Sequence, residues 1–351
     1  MRILLIKLNH IGDVLMLTPT LRFLREEYPA AEIDVLIRRG TESVLIGNKD
    51  ITNLFLTGAL GGDQTTCKDS FFDALKVAGN LFFKRYDYAF DLSNSDRAKF
   101  CIQLTCSKIV AANNAYGELG WKAWIFNRKS EYQWGLGHQV LKDFNTVTGV
   151  MGISGEPGPL RIDTEKAKNG AESWLERKIC TKEFAVIHTV SRWPFKQWVQ
   201  NRWIEVANYL SEKMGLSTVF SCGPVTREIQ QAGELADASR SYSVTTEGKL
   251  SLIELGSIVA RARLFIGVDT VAMHIAAAVQ TPVVALFGPS SEWSWRPWRC
   301  QHELVLGQCS CKRTRNFVCD KTRPFPCMEG IQVSNVLDAI NSISPPTKRV
   351  K

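Results

Sequence analysis

The chain alternates between short apolar runs and longer segments in which apolar residues recur every three or four positions. In the first half the apolar runs, which predict β-strands, are RILLIKL (2–8), EIDVLIR (32–38), the core of YDYAFDL (87–92) and KIVAA (108–112). Segments with helical periodicity lie between them, among them PTLRFLREEY and CKDSFFDALKVAGNLFFKRY. Apolar strands that alternate with amphipathic helices are typical of parallel sheets covered by helices on both faces.

The second half repeats this alternation, with strand candidates in EFAVIHT, STVFSCG, RLFIGV and PVVALFG. Between the halves lies GVMGISGEPGPLRIDTEK, which is rich in glycine and proline and lacks periodicity, as linkers do. We therefore predict an α/β chain with two doubly wound, Rossmann-like parallel-sheet domains, residues 1–160 and 161–328, that face each other across a cleft. Residues 329–351 are predicted to form a closing helix and a flexible tail.

Composition agrees with a soluble two-domain protein, because the 351 residues are 45% hydrophobic and 22% charged. The apolar N-terminus is interrupted by Lys7, His10 and Asp13, so it is too short for the core of a secretory signal. No run approaches the roughly 18 uncharged residues that a membrane span needs. We therefore expect a cytosolic protein whose ten cysteines are mostly reduced thiols.

The net charge of +8 is concentrated near the C-terminus, since residues 292–325 hold seven lysines and arginines against three acidic residues. Such a segment suits an anionic partner, namely nucleic acid, a phosphorylated substrate or an acidic membrane, or it is a solvated basic loop. The same region holds four closely spaced cysteines that lack the CxxC pairs of structural zinc sites, so free thiols are favoured over metal: Cys309, Cys311, Cys319 and Cys327.

The segment GVDTVAMHIAAA (267–278) marks a place where a strand is followed by a helix. Ligands of parallel sheets bind beyond the carboxyl ends of strands, where helix N-termini present unpaired amides. Asp269 or Thr270 can cap this helix, and the amides of Val271 and Ala272 could then receive a phosphate. His274 is four residues after Thr270, on the same helical face. The alternative is a simple cap followed by a packed histidine.

Two further polar segments follow predicted strands. IHTVSRWPFKQW (187–198) offers two hydroxyls and two cations on a loop, Thr189, Ser191, Arg192 and Lys196, and a lysine there can offset the charge of a departing phosphate. Alternatively, this is a surface loop with its aromatic residues turned inward.

The other segment is NHIGDVLMLTPTL (9–21), which follows the first predicted strand. Gly12 permits a tight turn between the strand and a helix, and the Asp13 carboxylate then acts either as a general base or as a helix cap. No GxGxxG or GxxxxGK[ST] motif is present, which argues against an NAD-linked oxidoreductase and a P-loop nucleotidase.

These three segments resemble glycosyltransferase family 9, the ADP-heptose:lipopolysaccharide heptosyltransferases, over nearly the whole chain. IGDVLMLTPTL is similar to the family's N-terminal motif, HTVSRWPFKQW to its His…Arg…Lys-x-Trp loop, and IGVDTVAMHIAAAVQTPVVALFGPSS to its donor-binding strand and helix. WRPW (295–298) resembles the heptosyltransferase III subgroup. The resemblance implies a GT-B fold in which the N-terminal domain binds the acceptor and the C-terminal domain binds the donor.

The resemblance also implies an inverting transfer of heptose from ADP-heptose to the inner core of lipopolysaccharide. Asp13 would deprotonate the acceptor hydroxyl, Lys196 would stabilise the diphosphate leaving group, and Asp269 would bind sugar hydroxyls or Lys196. Glu228 would reach the ribose of the adenosine. The remaining groups implied in donor binding are Thr189 or Ser191, Arg192, Thr270, the amides of Val271 and Ala272, and His274.

The segment WKAWIFNRKSEYQW (121–134) combines five aromatic residues with Lys122, Arg128 and Lys129. This mixture suits a membrane interface, stacking on a glycan, binding of a single-stranded nucleic acid or half-buried packing. Its place in the presumed acceptor domain favours a lipid-linked glycan.

We expect ADP-heptose and a lipid A–core oligosaccharide as partners, with peripheral contact at the cytosolic face of the inner membrane. We expect no nucleic acid, no metal and no cofactor. The alternatives are a transferase that uses another nucleotide-activated sugar and a non-catalytic protein that binds nucleotide or RNA.

Overall fold

Parallel strands joined by crossover helices build two separate units, which confirms the predicted α/β class. The computed structural model describes residues 1–59, 71–135, 137–179, 183–308 and 325–345. The first unit comprises Met1–Asp163, and the second begins at Thr164. Each unit contains one six-stranded sheet in which every pairing is parallel.

The first sheet has the strand order β3-β2-β1-β4-β5-β6. Its strands are β1 (Arg2–Lys7), β2 (Glu32–Arg39), β3 (Asn53–Ala59), β4 (Tyr88–Asp91), β5 (Ile109–Asn113) and β6 (Arg128–Ser130). The helices are α1 (Ile11–Leu15), α2 (Thr18–Glu27), α3 (Phe71–Lys84), α4 (Asp96–Gln103) and α5 (Gln139–Met151). The chain leaves β1 towards β2 and β3 and then returns to β4, so the carboxyl ends of β1 and β4 flank the switch point of this sheet.

The second sheet has the order β12-β11-β10-β7-β8-β9, which is the same winding. Its strands are β7 (Phe184–His188), β8 (Ser217–Ser221), β9 (Ser243–Thr245), β10 (Leu264–Val268), β11 (Val283–Phe287) and β12 (His302–Leu306). Its helices are α6 (Lys168–Lys178), α7 (Gln200–Met214), α8 (Thr226–Ala238), α9 (Leu252–Val259), α10 (Val271–Ala278), α11 (Glu292–Trp295), α12 (Pro326–Glu329) and α13 (Val333–Ile343). Here the switch point lies between β7 and β10.

The central strands are buried on both faces, as their continuous apolar sequences predict. In β7, Ala185 and Ile187 belong to the core cluster that includes residues of α7 and α13, whereas Phe184 and Val186 belong to the cluster with residues of α9 and α10. The predicted closing helix is α13, and its buried residues join the first of these clusters. Residues 346–351 lie outside the described part of the chain.

Four strands are absent from the set predicted from the sequence: β3, β6, β9 and β12. All four are edge strands of their sheets. An edge strand has one neighbour and is less buried, so it needs no continuous apolar run; β6 (RKS) and β9 (SVT) consist of three residues each. Within the described residues, we find no helix whose length and hydropathy would let it cross a membrane.

Candidate active site

The switch point of the second sheet brings two of the predicted polar segments side by side. Gly267 of β10 is in register with His188 of β7, so residues 189–199 and 269–278 leave the sheet from adjacent strand ends. A Cβ atom at Gly267 would lie 2.9 Å from the His188 carbonyl oxygen, closer than real side chains approach backbone. Glycine is therefore required here because the two backbones nearly touch.

Lys196 and Asp269 form an ion pair between these segments. Lys196 ends a short 3-10 turn (Pro194–Lys196), and its Nζ lies 2.6 Å from Asp269 Oδ2. The Lys196 side chain is 22% exposed and that of Asp269 is 6% exposed. His274 Nε2 lies 4.0 Å from the other carboxylate oxygen, Oδ1. The Asp269 carboxylate thus lies between a lysine and a buried histidine. The contact with Lys196 is one of the two alternatives expected for Asp269, whereas the proximity of His274 was not predicted.

The N-terminus of α10 begins immediately after this carboxylate. Thr270 is the N-cap residue with an extended backbone, and its hydroxyl donates to the Val268 carbonyl at 3.4 Å rather than accepting from a helix amide. The amides of Val271 and Ala272 occupy the first turn, where an α-helix provides no carbonyl acceptor of its own. An anion bound at these amides would satisfy them and interact favourably with the helix dipole.

The loop after β7 is held by its own hydrogen bonds. Thr189 and Ser191 are buried, Ser191 Oγ accepts from the Trp193 amide at 3.2 Å, and Gln197 Nε2 donates to the Ser191 carbonyl at 2.8 Å. Arg192 is exposed, and its guanidinium lies 5.8 Å from the centroid of the Trp193 ring. Of the two predicted cations of this loop, it is therefore Lys196 that contacts Asp269.

An aromatic anchor fixes the same loop to the segment that precedes α13, and the sequence did not predict this contact. Trp198 is buried and donates from Nε1 to the Ile331 carbonyl at 3.0 Å. The Phe195 ring contacts the Phe325 ring with a centroid distance of 6.4 Å. The aromatic residues around Lys196 were the sequence feature that indicated a buried contact. Their partner, Ile331, is more than a hundred residues away and cannot be identified from spacing in the sequence.

The neighbouring strand β8 carries two further polar contacts. Its last residue, Ser221, has Oγ 2.8 Å from Nδ1 of the buried His188. Burial lowers the pKa of His188 from 6.5 to about 4, so this imidazole is neutral at pH 7. Glu228, in the first turn of α8, accepts a hydrogen bond from the Gly223 amide at 2.9 Å through Oε2. This hydrogen bond holds Glu228 against the loop that follows β8, at the carboxyl end of the strand.

Asp13 belongs to the first unit and lies in the first turn of α1, one residue after Gly12. Its Oδ2 accepts from the His10 amide at 3.1 Å, which fixes the carboxylate against the loop after β1. A fully buried ion pair lies in the same region, with Lys7 Nζ 2.6 Å from Asp143 Oδ2. In the sequence, Lys7 is notable only as one of the residues that interrupt the apolar N-terminus, so this ion pair was not predicted.

Part of the basic and cysteine-rich segment lies outside the described residues, including Cys309, Cys311 and Cys319. Cys327, the fourth member of the predicted group, is buried in the core of the second unit. Among the residues that the structure describes, no three histidine, cysteine or acidic side chains are grouped as metal ligands would be.

The chain is similar to known proteins in sequence and in fold. Residues 74–323 match Glycosyltransferase family 9 (heptosyltransferase). The chain is 28% identical over 299 residues to the lipopolysaccharide heptosyltransferase 3 of Escherichia coli, a match that covers 82% of this chain and 83% of the relative.

Two solved structures show the same fold. A family 9 glycosyltransferase from Veillonella parvula superposes with a TM-score of 0.80 at 20% identity, over 97% of this chain and 96% of that one. The E. coli heptosyltransferase WaaC, solved with ADP-2-deoxy-2-fluoro heptose, gives a TM-score of 0.72 at 18% identity, over 97% and 99%.

The neutral state of His188 predicts a specific dependence of stability on pH. Above about pH 6.5 the histidine is neutral in both the folded and the unfolded chain, so it has no effect. As the pH falls from 6.5 to about 4, the unfolded chain binds a proton that the folded chain does not, and stability is lost. When the pH is lowered from 7 to 4.5, the free energy of unfolding should therefore fall in both proteins, but by about 2 kcal/mol less in His188→Gln than in the wild type.

Urea unfolding followed by tryptophan fluorescence at the two pH values measures this difference. His10→Gln, at an exposed position of the first unit, serves as the control for removal of a histidine. Equal losses in the wild type and His188→Gln would show that His188 is not held neutral by the fold.

Proposed function

The chain belongs to glycosyltransferase family 9, and we propose that it transfers a heptose from ADP-heptose to the inner core of lipopolysaccharide with inversion at the anomeric carbon. The observation that carries the proposal is the contact between Lys196 and Asp269, which brings a cation to the N-terminus of α10 at a strand switch point. The name of the E. coli relative and the ADP-heptose analogue bound by WaaC support the choice of substrates.

The donor diphosphate would bind at the start of α10. The amides of Val271 and Ala272 donate to its oxygens, and Thr270 and His274 lie on the same helical face. Lys196, which is partly exposed, turns from Asp269 to the phosphates when they arrive. These groups are in place before the reaction, so they stabilise the negative charge that grows on ADP as the bond to the sugar breaks.

Asp269 would then be released to accept hydrogen bonds from the hydroxyl groups of the heptose. A carboxylate is a poor neighbour for a diphosphate, but the lysine between them reduces the repulsion. Glu228 would accept from the ribose hydroxyls of the adenosine. Either Thr189 or Ser191 supplies a hydroxyl to the phosphates, and Arg192 adds a positive charge at the entrance of the loop.

The first unit would supply the base. Asp13 takes the proton of the acceptor hydroxyl while that oxygen attacks C1 of the heptose from the side opposite the diphosphate. The new bond joins the acceptor oxygen to C1, and the bond between C1 and the phosphate oxygen breaks, with its electron pair leaving on ADP. One displacement of this kind inverts the anomeric centre without a covalent intermediate on the enzyme.

Separate roles for the two units predict separable defects. Asp13→Asn should lower turnover by about 10²–10⁴, the usual contribution of a general base, and leave ADP affinity within about twofold of the wild type. Lys196→Ala should weaken ADP binding by about tenfold and also lower turnover, because the lysine contacts both the ground state and the departing diphosphate.

Calorimetry with ADP and mass detection of the product from ADP-heptose and a truncated core acceptor measure the two quantities. Asp237→Asn, in the last turn of α8, is a control for the loss of one carboxylate in the second unit. Full turnover by Asp13→Asn would refute the assigned base.

The identity of the donor sugar has an alternative, because the groups that bind the diphosphate do not distinguish one sugar from another. The same assay with UDP- and GDP-linked sugars distinguishes transfer of heptose from transfer of another activated sugar. Family membership disfavours the non-catalytic nucleotide- or RNA-binding alternative.

We further propose that the first unit contacts an anionic membrane at the cytosolic face of the inner membrane, where a lipid-linked acceptor is found. The side chains of Trp121, Trp124 and Phe100 are 78%, 69% and 64% exposed. Tryptophans prefer the interface between lipid and water. Lys122 Nζ lies 5.5 Å from the centroid of the Trp121 ring. Lys122 also forms an ion pair with Asp96 of α4, and this ion pair joins the 3-10 turn Gly120–Ile125 to α4.

Replacement of both exposed tryptophans, Trp121→Ala with Trp124→Ala, should reduce sedimentation with vesicles of phosphatidylglycerol and phosphatidylethanolamine by about tenfold. Activity on a water-soluble truncated acceptor should stay unchanged. Trp293→Ala, an exposed tryptophan of the second unit, is the matched control. Equal vesicle binding by the double variant and the wild type would exclude this surface.

A further inference from the structure

The buried ion pair of Lys7 and Asp143 has no place in the reaction proposed above, yet it lies beside the proposed base. Each side chain is at most 2% exposed, and Lys7 Nζ lies 2.6 Å from Asp143 Oδ2. Lys7 also donates to the Leu92 carbonyl at 3.0 Å, and Gln139 Nε2 donates to the other Asp143 oxygen at 3.1 Å. The two contacts of Lys7 are buried, and the contact of Gln139 is partly buried.

A buried ion pair is weak evidence for a stabilising role. Removing two charges from water costs more than their attraction often returns, and apolar residues of similar volume frequently serve the fold as well or better. The four residues of β1 that precede Lys7, Ile3 to Ile6, are all apolar and fully buried. The presence of a charge at Lys7 therefore calls for an explanation other than packing.

The position of the pair supplies one. Lys7 is the last residue of β1, and the loop that follows leads directly to α1 and Asp13. Burial raises the pKa of Asp143, Lys7 lowers it, and the negative charge of Asp13 raises it again, which places Asp13 within electrostatic reach of the pair.

The pair also joins the elements that border this loop. Lys7 connects the end of β1 to the residue after β4 through the Leu92 carbonyl, and to the first turns of α5 through Asp143. The next residue, Leu8, donates its amide to Ser93 Oγ at 2.6 Å, so the loop is tied to the β4 end a second time. The start of the β1–α1 loop is thus tied across the switch point to the end of β4, and also to α5.

We propose that Lys7 and Asp143 are positioning residues that hold the β1–α1 loop so that Asp13 meets the acceptor hydroxyl in a productive geometry. The inference rests on the proposed role of Asp13. A displacement of about 1 Å in a reacting group can cost about a hundredfold in rate, so a loop that carries the base needs a rigid support. Hydrogen bonds to a buried charge provide direction as well as strength, which apolar packing does not.

The double variant Lys7→Met with Asp143→Leu tests this role because it removes both charges together. No buried charge is left unpaired, so thermal unfolding should occur within a few degrees of the wild type. ADP affinity should stay within about twofold, since the donor groups are in the second unit. The kcat should nevertheless fall by about tenfold to a hundredfold, with a smaller change in KM for the acceptor.

Tyr86→Phe is the structural control. Tyr86 is fully buried in the same unit, and its hydroxyl donates to Asp34 Oδ2 at 2.8 Å. Asp34 belongs to β2 and is in register with Leu4 of β1. This variant should lower the unfolding temperature and leave kcat unchanged. Gln139→Leu is a milder probe that removes one hydrogen bond to Asp143, and it should lower kcat about threefold.

A double variant that folds and has the kcat of the wild type would overturn the proposal, as would a loss of kcat in Tyr86→Phe of the same size. If the double variant does not fold, Gln139→Leu decides, and an unchanged kcat there overturns the proposal. The comparison uses whichever nucleotide sugar the wild type turns over. A wild type that does not use ADP-heptose would refute the proposed substrate and leave the positioning test intact.

Discussion

The close pairing of β7 and β10 is the constraint from which the candidate donor site follows. The two strands run parallel with Gly267 against the His188 carbonyl, so the chain segments that leave them start within a few ångströms of each other. One segment carries Lys196 and the other begins with Asp269, and these two residues form the ion pair between the segments. The start of α10 then follows by chain continuity. Backbone geometry thus brings a helix N-terminus, a lysine and a carboxylate together.

The first unit repeats this plan with a different outcome. In both sheets the strand that begins the winding, β1 or β7, is followed by a loop at the switch point. In each unit a lysine of that strand or of the loop after it pairs with an aspartate from elsewhere in the unit, Lys7 with Asp143 and Lys196 with Asp269. The same winding therefore underlies both the proposed anion site and the proposed site of the base.

The sequence predicts the central strands because burial on both faces demands continuous apolar runs. It does not predict the edge strands, where RKS and SVT satisfy hydrogen bonds to a single neighbour. The site shows the same division. Motifs after strands identified Asp13, Lys196 and Asp269 as candidates, since carboxyl ends of parallel strands are predictable. The pairing of Lys7 with Asp143 spans 136 residues, and Trp198 with Ile331 spans 133, so no local pattern encodes either contact.

The difference in burial between the two lysines accounts for the difference in their proposed roles. Lys196 is 22% exposed, so water can reach the lysine during the proposed exchange of a carboxylate for a phosphate. Asp269 is 6% exposed, and in the proposal the hydroxyl groups of the sugar replace the lysine as its partners. Lys7 is 1% exposed, and any motion away from Asp143 would leave two unpaired charges without solvent. A pair whose lysine is partly exposed can therefore exchange partners, whereas a fully buried pair can only hold its surroundings in place. In the proposed mechanism, the depth of the lysine separates these two behaviours of the same residue types.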